Sequence, residues 1–119
     1  MKIEQLISPL DNRYNEKIAD LATNFSESNL NKVRFEIEIE WLIFLCSKGG
    51  KNFPALSKAN IKNLQALKNS FNEKSAKKVK SIEGKTNHDV KAVEYFIKKK
   101  KKKSSSLKRY EHLVHFALT

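Results

Sequence analysis

The chain has 119 residues, enough for one ordinary domain, and its single cysteine, Cys46, excludes an internal disulfide. It starts without a signal-peptide core, and its longest apolar run, Trp41 to Cys46, is far too short to span a membrane, so the sequence predicts a cytoplasmic protein. Lysine and arginine number 24 against 13 acidic residues, which gives a net charge of +11.

This charge has two explanations that the sequence leaves open. A basic surface suits a polyanion such as nucleic acid. Only Arg13, Arg34 and Arg109 are arginine, however, and the other basic residues are lysine. Nucleic-acid readers rely on arginine, because its planar fork matches phosphate and guanine. A genome rich in A and T, which favours codons for Lys, Asn and Ile, accounts for the composition without any partner.

The first predicted elements follow turn signals at Ser8-Pro9 and Asp11-Asn12, with a short helix over 16–25. The stretch 33–47 is ambiguous. Its apolar residues alternate with charged ones, as in a strand, yet they also form two helical faces. Its length and its content of Glu and Leu favour a helix. A helix with two apolar faces must be covered on two sides, which indicates an oligomer or a missing domain.

Three further helices are predicted after Gly49-Gly50. Ser57 precedes the first; the second ends near Gly84; Thr86 or Asn87 caps the third. The chain then carries a run of lysines and serines over 98–106, which predicts a lysine-rich solvated loop or a frayed helix end. A last helix is predicted over 107–118. The elements together predict an all-α fold.

The segment KTNHDVKAVEYF, residues 85–96, places three polar side chains side by side at a predicted helix start. Free N–H groups and the helix dipole favour anions there. His88 could donate a hydrogen bond to a carboxylate or phosphate, while Asp89 could orient it or cap the helix. A plain cap with an exposed histidine explains the same residues, so the local chemistry leaves both interpretations open.

Three blocks of the sequence are SPLDNRY (8–14), KTNHDVKAVEYF (85–96) and HLVHFALT (112–119). In order and spacing they resemble the adenylosuccinate lyase family of the fumarase/aspartase superfamily. FEIEIEWLIFL also resembles that family's first long helix, and NHDVKAVEYF is specific to one bacterial branch. The resemblance implies that 1–119 is the N-terminal helical domain of this all-α fold, without its central long-helix bundle.

The resemblance also implies an activity. The family removes fumarate from adenylosuccinate, giving AMP, and from succinylaminoimidazole carboxamide ribotide in purine synthesis. It does so as a homotetramer and without a metal or redox cofactor. The reaction is a β-elimination that needs a base and an acid, and both lie beyond Thr119, so the chain alone is expected to be inactive. The positions that match substrate-binding residues of the family are Arg13, Tyr14, Asn87, His88, Asp89 and Thr119.

Two features depart from the family's pattern. Asn12 stands where the family has glycine, and the lysine run has no expected counterpart. The alternative function is therefore a small basic helical module that binds nucleic acid or another polyanion through 98–103 and Lys108. His112 and His115 could suggest a metal, but no cluster of Cys, Asp or Glu completes a ligand set. The expected partner is a small-molecule substrate, with no membrane, metal or cofactor, rather than nucleic acid.

Overall fold

The computed structural model describes residues 7–11, 13–101 and 108–118. These residues form helices and turns with no strand among them, which confirms the all-α prediction. They divide into two compact units, one that ends at Leu30 and one that begins at Asn31. None of the described helices is both long enough and apolar enough to cross a membrane.

The first unit consists of short helices. Two 3-10 turns, Pro9–Asp11 and Asn15–Ile18, lead into α1, Ala19–Phe25, which confirms the helix predicted over 16–25. No residue of α1 is buried, and Phe25 is 81% exposed. The residues of this unit that the structure describes therefore form helical structure without a buried core.

The ambiguous stretch is helical: α2 spans Glu27–Lys48. It begins earlier than the apolar pattern does, because the hydroxyl of Ser26 accepts a hydrogen bond from the Asn29 N–H at 3.2 Å and caps the helix. Only one of its two apolar faces is covered by the described residues. That face, with Phe35, Ile39 and Leu42, is buried. The other face is exposed by 40–53% at Val33, Ile37 and Phe44.

Three more helices follow: α3 is Lys58–Asn69, α4 is Glu73–Thr86 and α5 is Asp89–Lys101. Ser57 caps α3 by accepting a hydrogen bond from the Asn60 N–H at 3.1 Å. Asn72 and Ser75 cap α4 reciprocally, side chain to backbone. Because α4 and α5 pack along each other, the turn that joins them is held at both sides.

The core of the second unit centres on three phenylalanines. The ring centroid of Phe35 lies 5.1 Å from that of Phe71 and 5.6 Å from that of Phe96, which are distances typical of favourable aromatic pairs. Tyr110 is buried beside them and donates a hydrogen bond from its hydroxyl to the Ala55 carbonyl at 2.7 Å. Other members of this core are Ile39, Leu42, Cys46, Leu64, Val79, Ala92, Val93, Ile97, Leu113 and Val114.

The C-terminal part settles one open alternative and contradicts one prediction. Of the loop and the helix end predicted for the lysine run, the helix end is observed as far as Lys101: lysine is a good helix former, and the Lys98 ammonium pairs with Glu94 at 2.9 Å. Residues 102–106 lie outside the described part. The helix predicted over 107–118 is a 3-10 helix, Lys108–Leu113, followed by turns. His115 (φ 68°) and Ala117 (φ 60°) have left-handed backbones, which end a helix.

Candidate functional site

The turn between α4 and α5 carries three of the residues predicted to bind substrate. The first is Asn87, which ends α4 in a left-handed conformation (φ 54°) and donates its N–H to the Glu83 carbonyl at 2.8 Å. Asparagine is one of the few residues that adopt this conformation readily. Its side chain is exposed, and no hydrogen bond holds its amide within the part of the chain that the structure describes.

The cap of α5 is His88, which corrects the prediction that Thr86 or Asn87 would cap it. The Lys91 N–H donates to His88 Nδ1 at 3.2 Å, and the Ala92 N–H donates to the His88 carbonyl at 3.1 Å. A ring nitrogen that accepts a hydrogen bond carries no proton, so we infer that the proton of neutral His88 is on Nε2. The side chain is about half exposed, and Nε2 has no partner among the described residues.

The carboxylate of Asp89 is occupied at both oxygens. The Val90 N–H donates to Oδ1 at 2.8 Å, and the Arg34 guanidinium contacts Oδ2 at 3.0 Å. The Val90 N–H, followed by Arg34, lowers the pKa of Asp89 below its ordinary value. A negative charge at a helix N-terminus is also favourable. Asp89 therefore ties the start of α5 to α2.

One face of α2 contacts both blocks of the second unit that resemble the lyase family, 85–96 and 112–119. Arg34, Glu38 and Trp41 lie four and three residues apart and so share a helical face, which we call the α2 polar stripe. Arg34 pairs with Asp89 of the block 85–96, as described above. Glu38 bonds to His115 of the block 112–119, and the Trp41 indole N–H donates to the Phe116 carbonyl of the same block at 2.7 Å. The stripe thus positions both blocks.

The pair of Glu38 and His115 is the part of the site that sequence reasoning missed. Their side chains are only 4% and 11% exposed. Burial raises the pKa of Glu38, an effect that its hydrogen bond to His115 opposes. Glu38 Oε2 is buried and has no hydrogen-bond partner among the described residues. The signal was available: Glu38 falls on the helical face of Phe35 and Leu42, where an acidic side chain requires a partner.

The remaining predicted site residues lie elsewhere. Arg13 and Tyr14 belong to the first unit, where the Arg13 guanidinium lies 5.4 Å from the centre of the Tyr14 ring. The Lys17 ammonium is 5.6 Å from the centre of the same ring, so two cations lie over one aromatic ring. Thr119 lies outside the described residues. Within the described ranges no group of three or more His, Cys, Asp or Glu side chains could hold a metal ion.

Comparison with known proteins finds that this chain is similar to lyases. The homologues are adenylosuccinate lyases, which confirms the resemblance drawn from the three blocks. The chain is 42% identical to the enzyme of Escherichia coli (strain K12), 41% to that of Haemophilus influenzae and 40% to that of Buchnera aphidicola from Schizaphis graminum. Each match has 114 residues and covers 95% of this chain but only 25% of the relative. No protein-family model matches the chain.

Proposed function

We propose that the chain forms part of the substrate site of an adenylosuccinate lyase. The parent enzyme would release fumarate from adenylosuccinate and from succinylaminoimidazole carboxamide ribotide, as a cytoplasmic homotetramer. Because the chain spans about a quarter of the length of its relatives, the activity of the whole protein is part of this proposal. The observation that carries it is the bond from the Lys91 N–H to His88 Nδ1 at a helix start, which leaves Nε2 without a partner among the described residues.

The roles follow from the charges of the substrate, which has a phosphate and two carboxylates. The Nε2–H of His88 donates to one anionic oxygen, and the exposed amide of Asn87 offers a second donor beside it. Asp89 keeps His88 in place through Arg34 and the first turn of α5 and does not face the substrate with a free oxygen. Arg13 and Tyr14 contact the nucleotide part, and Thr119 adds a hydroxyl.

These residues bind and orient the substrate. The elimination needs a base that removes a proton beside a carboxylate and an acid that protonates the leaving nitrogen. We assign neither role to a residue of this chain. The chain alone is therefore expected to release no fumarate from adenylosuccinate, whereas the intact enzyme does.

A chimera tests this proposal. The chain replaces the 114 matching residues of the Escherichia coli relative, and fumarate release from adenylosuccinate is followed in the purified protein. We expect the chimera to be active and its His88→Ala variant to lose at least about tenfold in kcat/KM, because a hydrogen bond to a charged group is worth ~1.5–3 kcal/mol. A folded but inactive chimera, or an unaffected variant, would refute the proposal.

A further inference from the structure

A basic groove runs between α4 and α5, on side chains that the proposed function does not use. It encloses a cavity of about 350 Å³ lined by lysines from both helices above an apolar floor of Ile82 and Phe96. A second cavity of about 410 Å³ shares Ile82, Lys85 and Lys99 with the first and extends past Tyr95 to Glu111. Each volume falls in the range of small-molecule sites in proteins.

The positive charge of this groove is not neutralised. Lys78, Lys85 and Lys99 are exposed and have no acidic partner within the part of the chain that the structure describes. Two glutamates of these helices are already paired with other lysines: Glu83 with Lys80 at 3.5 Å and Glu94 with Lys98 at 2.9 Å. Like charges brought together in this way repel each other, and a bound anion relieves the repulsion.

The two ends of the groove differ in chemistry. The first cavity adds Lys78 to the shared Lys85 and Lys99, and these three lysines suit a group with several negative charges. The second cavity offers the Tyr95 ring, 41% exposed, and the carboxylate of Glu111. An aromatic ring stacks on a base, and a carboxylate accepts hydrogen bonds from its amino group. The same carboxylate repels a continuous phosphate backbone, which disfavours a nucleic-acid strand along the groove.

We propose that the groove binds a nucleoside polyphosphate, with its phosphates among Lys78, Lys85 and Lys99 and its base against Tyr95. The apolar floor of Ile82 and Phe96 accommodates the sugar and limits the access of water to the phosphates. His88 does not line either cavity, although Thr86 of the second cavity accepts its N–H, and the proposal does not depend on lyase activity.

Calorimetric titration of the chain with ATP, at physiological salt and without divalent metal, tests the proposal. We expect saturable binding that is stronger than that of adenosine or inorganic triphosphate alone. Replacing Lys78, Lys85 and Lys99 together with serine should weaken it at least about tenfold, because each lysine supplies a charge-assisted hydrogen bond. Circular dichroism checks that this variant keeps its helices, and a K85S/K99S double variant serves if it does not.

The matched control replaces Lys32, Lys58 and Lys62, which are exposed and lie outside the groove, and so removes the same charge. It should bind ATP as the unaltered chain does, and so should the His88→Asn variant. An equal loss in the control would mean that only net charge matters. Loss in His88→Asn would assign ATP to the substrate site. Triphosphate that binds as tightly as ATP, an oligothymidine that binds more tightly, or no saturable ATP binding would also overturn the proposal.

Discussion

His88 uses its two ring nitrogens for different tasks. Nδ1 accepts the Lys91 N–H and caps α5, whereas the proton on Nε2 points to no described partner. Because the cap fixes both the tautomer and the ring orientation, the donor is in place before any ligand arrives. Preorganisation of this kind is what distinguishes a binding histidine from an exposed histidine that rotates freely.

Two substitutions separate these tasks. Asparagine keeps an acceptor at the δ position and is a favoured cap, but it has no group at the ε position. Glutamine keeps an N–H at the ε position and lacks the δ acceptor. We expect His88→Asn to preserve the thermal stability of the chain and to lower kcat/KM of the chimera at least about tenfold. We expect His88→Gln to cost ~1 kcal/mol of stability and to retain more activity than His88→Asn.

Thermal denaturation of the chain and initial rates of the chimera measure the two effects. Wild-type kinetics in His88→Asn would show that the residue is a cap and nothing more. The His88 backbone N–H donates to the Thr86 hydroxyl at 3.3 Å, and neither substitution removes this hydrogen bond. Differences between the variants therefore come from the side chain at position 88.

Glu38 should make the stability of the chain depend on pH. Burial raises its pKa in the folded state above the ordinary value of 4.5, so the folded chain binds the proton more tightly than the unfolded chain does. Stability from this group is therefore full below about pH 4.5 and is lost as the pH rises through the folded pKa. We expect Glu38→Gln to flatten this decline, because glutamine does not titrate.

Melting temperatures between pH 4 and 7 test this prediction, because the decline should begin above the ordinary pKa of Glu38. Glu36→Gln, on the same helix and more exposed, is the matched control and should keep the decline. His115, which contacts Glu38, and Glu94 are present in both variants, so the comparison tests the Glu38 carboxyl together with its contact to His115. A decline that persists in Glu38→Gln would contradict the prediction.

At the scale of an element, α2 acts as the support for two separate segments. Its polar stripe bonds to Asp89 on one side and to His115 and Phe116 on the other. The core face of the helix buries Phe35 and Ile39, so the stripe cannot shift without disturbing the packing. The long helix therefore gives the stripe a fixed spacing.

We expect Trp41→Phe to lower the free energy of unfolding by ~0.5–1.5 kcal/mol, since it leaves the Phe116 carbonyl without its donor. Urea denaturation of the chain measures the change. Phe44→Leu is the control, because Phe44 stacks on Trp41 but donates no hydrogen bond. A smaller loss in Trp41→Phe than in the control would show that ring packing, and not the hydrogen bond, holds the C-terminal turn.

Sequence periodicity was sufficient for the helices and insufficient for their ends. Apolar spacing predicted the helices because each repeats over several turns. It failed at residues 107–118, where the left-handed backbone at His115 accompanies a bond to Glu38, 77 positions away in the chain. No local pattern reports such a contact. His88 escaped notice as a cap because histidine is not among the usual capping residues.

At the scale of the whole molecule, the uncovered face of α2 is the main liability. Val33, Ile37 and Phe44 are each at least 40% exposed, and the chain spans only about a quarter of the length of its relatives. We propose that in a complete enzyme further parts of the protein cover this face. Without them, such a surface favours association.

We therefore expect the isolated chain to associate, with a sedimentation coefficient that rises with protein concentration, and to bind a hydrophobic dye. Replacing Ile37 and Phe44 with glutamine should reduce both effects, because it removes apolar area without touching the buried face. The matched control is Leu21→Gln, an exposed residue of α1. A monodisperse monomer that binds no dye would contradict this expectation.

The hydrogen bond from Trp41 to Phe116 has a practical consequence. Trp41 is the only tryptophan in the chain, so all indole fluorescence comes from the ring that donates a hydrogen bond to Phe116. Its emission wavelength and quenching by solutes thus report whether that segment is docked on α2, without any label. The chain thus carries its own spectroscopic probe for the docking of this segment.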